Sequence, residues 1–213
     1  LENAGANVRD FKDPCIDPRA RKNDIEKAAI REAHITDGVA MVRFLHWLDS
    51  VGPQSGESEI SVAQKLEDFR QKGQGYRGPS FATISGFADN GAVVHYHATP
   101  AKHKQIDKDG LLLVDSGGQY NNGTTDITRT VAIGEPSEEM KESFTQVLRG
   151  HIALARAKFP EGTTGAQLDA LARQFLRSAN KDYDHGTGHG VGCYLSVHEE
   201  ASGISPRGNG VVE

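Results

Sequence analysis

The chain has 213 residues, of which 37% are hydrophobic and 25% are charged, and its formal net charge at pH 7 is −5. This length supports a sizeable core in one domain, and the composition is that of a globular protein. The negative net charge argues against nucleic-acid binding, which depends on clustered basic residues. No apolar stretch approaches the roughly 20 residues that cross a bilayer. We therefore expect neither nucleic acid nor membrane as a partner.

The two cysteines, Cys15 and Cys193, lie far apart in the sequence. They form neither a disulfide framework nor a CxxC pair, so we expect a reducing, cytoplasmic compartment and no thiolate zinc site. No signal peptide begins the chain. The first residue is Leu1, and the last residues contain no capping element, so we expect the chain to be part of a longer protein.

Residues 1–22 are rich in Asp, Pro and Arg and predict a linker that enters the domain. Asn23 and Glu26 match a capping box, and apolar residues at helical spacing predict a helix from there to about Asp49. A second helix is predicted by apolar residues that share one face, namely Val62, Ala63, Leu66 and Phe69.

After Gly73 the pattern changes to short runs typical of β-strands. Residues 81–84 and 92–97 flank an Asp-Asn-Gly turn and predict a hairpin. Residues 111–115 and 126–133 predict a second pair of strands, joined by a turn rich in glycine and asparagine.

Helices are predicted again in the second half of the chain. One contains Met140 and ends before Pro160, and the next begins at Thr164 and Gln167, which match a capping box. Residues 193–198 then predict a further strand. Two helices followed by strands, twice in succession, favour an α+β fold in which two similar half-domains surround a common sheet.

Two aspartates lie at the ends of the second predicted strand pair. Asp115 ends one strand and Asp126 begins the next, with Gly117, Gly118 and residues 121–123 (Asn-Asn-Gly) assigned to the turn between them. If the aspartates face each other across the hairpin, their Cβ atoms lie roughly 5 Å apart. Carboxylates held that close repel each other unless a cation lies between them. We therefore favour a metal site over the alternative of a turn cap with an exposed neighbour.

His185 and His189 lie in a run where every second residue is glycine. An interior glycine destabilises a helix by about 1 kcal/mol, so this is not the helical HExxH zinc motif. In extended chain His185, Thr187 and His189 share one face. The alternatives are a flexible loop or a phosphate-binding turn, and the missing GxGxxG spacing argues against a nucleotide site.

Further histidines fall at the predicted strands. His95, His97 and His198 are candidates for proton transfer or for orienting a substrate. A Ser-His-Asp hydrolase is a weaker hypothesis, because Ser116 and Ser196 lack the GxSxG elbow.

Four motifs in this order resemble the pita-bread metallopeptidases, and among them the long, three-domain form of Xaa-Pro aminopeptidase (aminopeptidase P). They are Val-Asp-Ser-Gly-Gly at 114–118, Thr-Asp-Ile-Thr-Arg-Thr at 125–130, His-Gly-Thr-Gly-His-Gly-Val-Gly at 185–192 and Val-His-Glu at 197–199. Residues 22–48 are also similar to the start of that catalytic domain. The resemblance implies a pita-bread fold with a curved, mostly antiparallel sheet over residues 23–213, truncated at the C-terminus.

The resemblance also implies a dinuclear centre of two divalent metal ions, commonly manganese, with zinc or cobalt as alternatives. The implied metal ligands are Asp115, Asp126 and His189. The side chains that would line the substrate site and orient the peptide are His95, His185 and His198. The implied reaction releases the N-terminal residue of a peptide with proline in second position, through attack by a metal-bridged hydroxide. Long-form members are often homodimers.

Two further ligands of that family are glutamates, one of them in a Glu-Pro-Gly segment. No such segment follows Glu199 in this chain, which ends at Glu213. We therefore expect weak metal binding and little activity from this chain alone. Two other hypotheses stay open, a prolidase- or creatinase-like hydrolase and a non-catalytic pita-bread binding protein. The three ligands that are present argue against the second.

Overall fold

A computed structural model of the chain describes residues 2–208. The first half contains a 3-10 helix (Glu2–Ala4), helices α1 (Ile16–Ala20), α2 (Asp24–Leu48) and α3 (Glu59–Arg70), strand β1 (Tyr76–Phe87), a second 3-10 helix (Ala88–Ala92) and strands β2 (Gly110–Tyr120), β3 (Gly123–Thr124) and β4 (Ile127–Ile133). The second half contains α4 (Glu138–Ala155), α5 (Gly165–Ser178), β5 (Gly188–Gly190) and β6 (Glu199–Ile204).

All strand pairs in the described part of the chain are antiparallel. Strand β2 is central, with β1 along one edge and β3 and β4 along the other. Strands β5 and β6 form a separate two-stranded sheet. The predicted succession of helices and strands is observed twice, but the strands of the two halves form two sheets within residues 2–208 rather than one.

The predicted helix starts are confirmed by their caps. The Asn23 side chain accepts a hydrogen bond from the Glu26 amide at 2.9 Å, and the Glu26 carboxylate accepts one from the Asn23 amide at 2.9 Å. At the start of α5 the Gln167 side chain accepts from the Thr164 amide at 2.8 Å. Each cap satisfies amides that have no partner inside the helix, which fixes where the helix begins.

The main core lies between α2, α3 and one face of the central sheet. From Gly110 to Asp115 the residues of β2 alternate between buried and half-buried, and those from Ser116 to Tyr120 are all buried. Leu112 and Val114 are fully buried. The core consists of Met41, Phe44, Leu48, Val51, Val62, Leu66, Phe87, Ile106, Leu112, Val114 and Ile133. Since side chains alternate along a strand, Asp115 projects from the face of β2 that points away from these helices.

The predicted hairpin of residues 81–84 with 92–97 is wrong. Residues 81–84 belong to β1, which pairs with β2, and residues 93–97 contain no strand. His95 has a φ of 56°, a left-handed conformation that interrupts an extended run. The β-like composition of this segment is overridden by tertiary hydrogen bonds, among them that from the Tyr96 hydroxyl to Glu59.

The strand predicted at residues 193–198 is also wrong, because β6 begins only at Glu199. Leu195 and Ser196 have φ values of 61° and 52°. The Gly192 amide donates to the Ser196 carbonyl at 2.9 Å, which closes a turn in this segment. The apolar run therefore forms a loop that brings His198 beside His189.

The predicted turn between β2 and β3 is confirmed at Asn121 and Asn122, but it does not include Gly117 and Gly118, which lie inside β2. Asp115 is consequently paired with Thr128 and does not face Asp126. Continuing this register places Asp126 opposite Gly117, so the two aspartates are diagonal neighbours on one face of the sheet.

Gly117 allows three segments of backbone to approach closely. The Ser80 hydroxyl of β1 crosses over it and donates to the Thr125 carbonyl at 2.8 Å. A Cβ atom at position 117 would lie 2.0 Å from the Thr125 carbonyl oxygen and 2.2 Å from Ser80 Oγ. Any side chain at this position would therefore displace the segment that carries Asp126.

Replacing Gly117 by alanine should destabilise the protein by about 1–3 kcal/mol, because the new methyl group overlaps backbone atoms that cannot move independently. Chemical denaturation measures the loss. Gly38→Ala is the control, since no atom lies within 4 Å of a Cβ at that helical position. It should stabilise α2 by up to about 1 kcal/mol. Equal effects of the two substitutions would contradict the close approach at Gly117.

Only the last part of the segment predicted as a linker packs on the domain, since residues 3–15 are exposed and α1 contacts β6. It contains α1, and the Lys22 ammonium group forms an ion pair with Glu199 in which both side chains are largely buried. Residues 209–213, the end of the predicted domain, lie outside the described residues. Between residues 2 and 208 no helix combines the length and apolar character needed to span a membrane.

Candidate metal centre

Three predicted site residues from both halves of the chain lie together: Asp126 and His198 immediately precede β4 and β6, and His189 is in β5. His189 Nε2 lies 3.1 Å from Asp126 Oδ2. The rings of His189 and His198 meet edge to face, with centroids 4.0 Å apart. One ligand atom from each of Asp126, His189 and His198 lies within 4.8 Å of the other two. This spacing suits side chains that share one cation.

The orientation of His189 is fixed by its backbone neighbour. Its Nδ1 donates to the Gly190 carbonyl at 2.8 Å, which leaves Nε2 directed at Asp126. The hydrogen bond to Asp126 raises the pKa of His189, burial opposes this, and the bond to Gly190 adds to the rise. An imidazole that donates through one nitrogen to a carbonyl and presents the other is arranged as metal-binding histidines are.

Asp115 lies on the same sheet face as Asp126, and its Oδ1 accepts a hydrogen bond from Thr128 at 2.7 Å. Burial raises the pKa of Asp115. The Thr128 hydrogen bond opposes that rise, whereas the negative charge of Asp126 adds to it. A carboxyl group that burial and a second carboxylate make harder to ionise is one that a cation would stabilise.

His95 reaches the site from a loop that is held by Glu59. The Glu59 carboxylate is fully buried and accepts hydrogen bonds of 2.7–2.9 Å from the Phe87 amide, the Asn90 side chain, the Tyr96 hydroxyl and the Lys104 amide. Burial, and then the bond to Glu59, raise the pKa of Tyr96 to about 12, so its phenol stays a donor. The His95 ring centroid lies 6.5 Å from that of His198.

His198 follows a loop that is tied to the first half of the chain. The Gln119 side chain is buried, and its Oε1 accepts from the Leu195 amide at 3.1 Å and from the Thr124 hydroxyl at 2.7 Å. Gln119 thus joins β2 to the turn at Leu195 and Ser196. This contact explains how His198, from the second half, reaches Asp126 in the first.

His185 is the predicted site residue that the structure places apart. Its ring packs on Tyr183 with centroids 4.8 Å apart, and its Nδ1 donates to the Gly186 carbonyl. Within residues 2–208 His185 forms no hydrogen bond or ring contact with the other predicted site residues. It lies outside β5, so the extended run predicted from His185 to His189 is present only at its end.

Two buried ion pairs behind the site were not predicted. Asp37 pairs with Arg70, and Asp169 pairs with Arg173, with all four side chains at most 2% exposed. Asp37 and Arg70 are 33 positions apart and carry no local motif. Asp169 and Arg173 have the i, i+4 spacing of a helical ion pair, a signal that could have identified them.

The family model for metallopeptidase family M24 matches residues 28–213. The chain belongs to metallopeptidase family M24. Curated relatives of this M24 chain include two fungal proteins, each described as "Probable Xaa-Pro aminopeptidase P". The protein from Paracoccidioides brasiliensis is 47% identical over 210 residues, which is 97% of this chain and 34% of the relative. The one from Aspergillus fumigatus is 47% identical over 203 residues, 94% of this chain and 31% of the relative.

Solved structures also resemble the M24 chain. The X-prolyl aminopeptidase of Caenorhabditis elegans, described as a cytosolic enzyme with a di-nuclear active site, has a TM-score of 0.87 and 41% identity over 94% of this chain and 33% of its own. Prolidase from Pyrococcus furiosus has a TM-score of 0.81 and 30% identity over 93% of this chain and 56% of its own. These similarities confirm the predicted α+β, pita-bread fold. The chain spans about a third of the length of the curated relatives it matches.

Proposed function

We propose that this chain supplies part of the metal centre of an aminopeptidase that releases the N-terminal residue from peptides with proline in second position. The observation that carries the proposal is the 3.1 Å approach of His189 to Asp126, with His198 beside them. Asp126 and His189 are 63 positions apart in the sequence. Separate sets of hydrogen bonds hold the strands and loops that bring them together. The relatives named Xaa-Pro aminopeptidase support the substrate class.

The donor set fits a divalent cation. Asp115, Asp126 and His189 offer carboxylate oxygens and one imidazole nitrogen, a mixture that suits manganese, cobalt or zinc. We propose two ions, as described for the C. elegans relative, and manganese as their identity. When bound, the ions would polarise the scissile carbonyl and lower the pKa of a water molecule.

The remaining histidines would act on the substrate. His198 packs on His189 and lies nearest to the ligands, so its imidazole is placed to donate to the scissile carbonyl oxygen. The His95 ring lies near that of His198, with centroids 6.5 Å apart, and would help to hold the peptide. His185 would contribute only where the peptide extends toward Tyr183.

We infer that residues 23–213 act as a catalytic domain entered through residues 1–22. The buried Lys22–Glu199 pair supports a fixed orientation of that N-terminal segment on the domain. We also propose a cytoplasmic location, as for the cytosolic C. elegans relative, and a homodimer. Peptides are the proposed partners.

A prolidase is the second candidate, supported by the likeness to the P. furiosus enzyme. An assay separates the two candidate functions. It compares the hydrolysis of X-Pro dipeptides with that of longer X-Pro peptides, using the longest natural polypeptide that contains this sequence. We expect turnover of the longer peptides. Cleavage of dipeptides alone would establish a prolidase, and cleavage of neither would contradict both candidates.

Metal binding by the 213-residue chain tests the centre itself. We expect weak uptake of Mn²⁺ or Co²⁺ in calorimetry, and at least about tenfold weaker binding in Asp126→Asn and His189→Gln, which corresponds to about 1.4 kcal/mol. The control is His151→Gln, which changes an exposed histidine on α4. Two tight manganese sites in the unmodified chain would contradict the expected shortage of ligands. Equal binding by all variants would contradict the proposed centre.

A further inference from the structure

The buried carboxylate of Asp37 holds the residue that immediately precedes Asp126. Arg70 binds both Asp37 oxygens, with its Nε 2.7 Å from Oδ1 and its Nη2 3.1 Å from Oδ2. The Thr125 hydroxyl donates to Asp37 Oδ2 at 2.7 Å and accepts from the Gly118 amide at 2.8 Å. Asp37 and Thr125 are fully buried, so no water competes for these bonds.

A second buried carboxylate, Asp169, holds the segment that precedes His189. Arg173 Nε donates to Asp169 Oδ2 at 2.7 Å, and the Thr187 hydroxyl donates to the other oxygen at 2.6 Å. The Thr187 amide donates to the Ile204 carbonyl of β6 at 2.8 Å. Arg173 also donates to the carbonyl of His185 at 2.7 Å, which fixes the start of this segment.

The same chemical arrangement thus occurs behind both residues that meet at the metal site. In each case an arginine orients a buried aspartate, and the aspartate accepts from a threonine one or two positions before Asp126 or His189. Helix geometry does not impose the likeness, because Asp37 and Arg70 come from two helices whereas Asp169 and Arg173 share one. Charge-assisted hydrogen bonds in a dry interior are short and strongly directional, so they fix backbone position well.

We propose that Asp37 and Asp169 are positioning residues for the metal centre, each acting through a threonine hydroxyl. Asp37, through Thr125, sets the place of Asp126, and Asp169, through Thr187, sets the place of His189. Together they hold Asp126 Oδ2 and His189 Nε2 at a separation that a shared cation can use. This inference rests on the proposed metal centre.

The test titrates the whole 213-residue chain with Co²⁺. Binding is measured from the visible absorption of the Co²⁺ ion. Thr125→Val and Thr187→Val remove the two hydroxyl groups with little change of shape. We expect each to weaken Co²⁺ binding about 10–100-fold, as loss of outer-shell support commonly does. Thr125→Ser and Thr187→Ser keep the hydroxyl groups and should restore most of the affinity.

A matched control separates positioning from general loss of stability. Thr163 is buried, and its hydroxyl donates to the Pro160 carbonyl at 2.7 Å, outside the site. Thr163→Val should lower the unfolding temperature as the other two valine variants do and leave Co²⁺ binding unchanged. Weaker binding in Thr163→Val of the same size would overturn the proposed positioning role.

Two further results would refute the positioning role, and one would support it. If Asp126→Asn loses Co²⁺ binding while Thr125→Val and Thr187→Val bind like the unmodified chain, the positioning role is refuted and the metal centre stands. If the unmodified chain shows no change in Co²⁺ absorption at millimolar concentration, the proposed centre is refuted, and the positioning role with it. Rescue by both serine variants supports the role of the hydroxyl groups.

Discussion

Replacing Arg70 by alanine should lower the free energy of unfolding by about 3–5 kcal/mol, the usual cost of removing one partner of a buried ion pair. Arg70 is 1% exposed, and its guanidinium group binds both oxygens of a carboxylate that is 0% exposed. Without it the Asp37 charge stays in the interior, where no solvent compensates it. Urea denaturation followed by circular dichroism measures the change.

The control for this prediction is Arg43→Ala, which removes an exposed arginine from α2. Its effect should stay within about 0.5 kcal/mol. In the double variant Asp37→Leu/Arg70→Met no charge is left buried, so part of the stability should return. Recovery should be incomplete, because Tyr120 and Thr125 lose the acceptor they share. A loss below about 1 kcal/mol in Arg70→Ala would show that the pair is solvated in solution.

Replacing Glu59 by alanine should cost at least about 3 kcal/mol, since each buried donor left without an acceptor costs about 1–3 kcal/mol. Four donors converge on this carboxylate, which is fully buried. The loop from Ala88 to Lys104 would lose its attachment to α3, and His95 would move with it. Hydrogen exchange at the amides of Phe87 and Lys104 should accelerate more than elsewhere in the protein.

Replacing Glu59 by glutamine tests the role of the same carboxylate with a smaller change of shape. Oε1 accepts from the Phe87 amide and Oε2 accepts from the Lys104 amide, and a backbone amide can only donate. The new NH₂ group must therefore face a donor, and we expect a loss of about 1–3 kcal/mol. Glu138→Gln is the matched control, because Glu138 is also the first residue of its helix but is exposed. Equal losses in the two glutamine variants would contradict the role of Glu59.

Local signals predicted the helices and the central strands well. The caps at Asn23 and Thr164 act through neighbouring residues, so they are visible in the sequence and recur in the structure. The strands at residues 93–97 and 193–198 were wrong because composition alone supported them. Glu59 and Gln119 bend those segments into loops through hydrogen bonds from distant parts of the chain.

The candidate site, like the fold, was predicted only in part. The motifs predicted a set of site residues, and three of them, Asp126, His189 and His198, lie together in the structure. The predicted facing of Asp115 and Asp126 failed because Gly117 and Gly118 belong to β2 and the centre of the turn lies one residue further along, so Asp115 pairs with Thr128. Asp37 and Arg70 could not be predicted from spacing, since only the packing of α2 on α3 brings them together.

The hydrogen bond between Asp37 and Thr125 also bears on how the chain folds. It joins residues 88 positions apart, so loop-closure entropy is lost before the contact can form. Such distant contacts slow folding, whereas the first turn of α2 needs only its neighbours. We therefore expect Asp126 to reach its place only after α2, α3 and β2 have docked. The helices of a newly made chain should form first and the approach of Asp126 to His189 last, so a metal ion at the proposed centre would meet a folded scaffold.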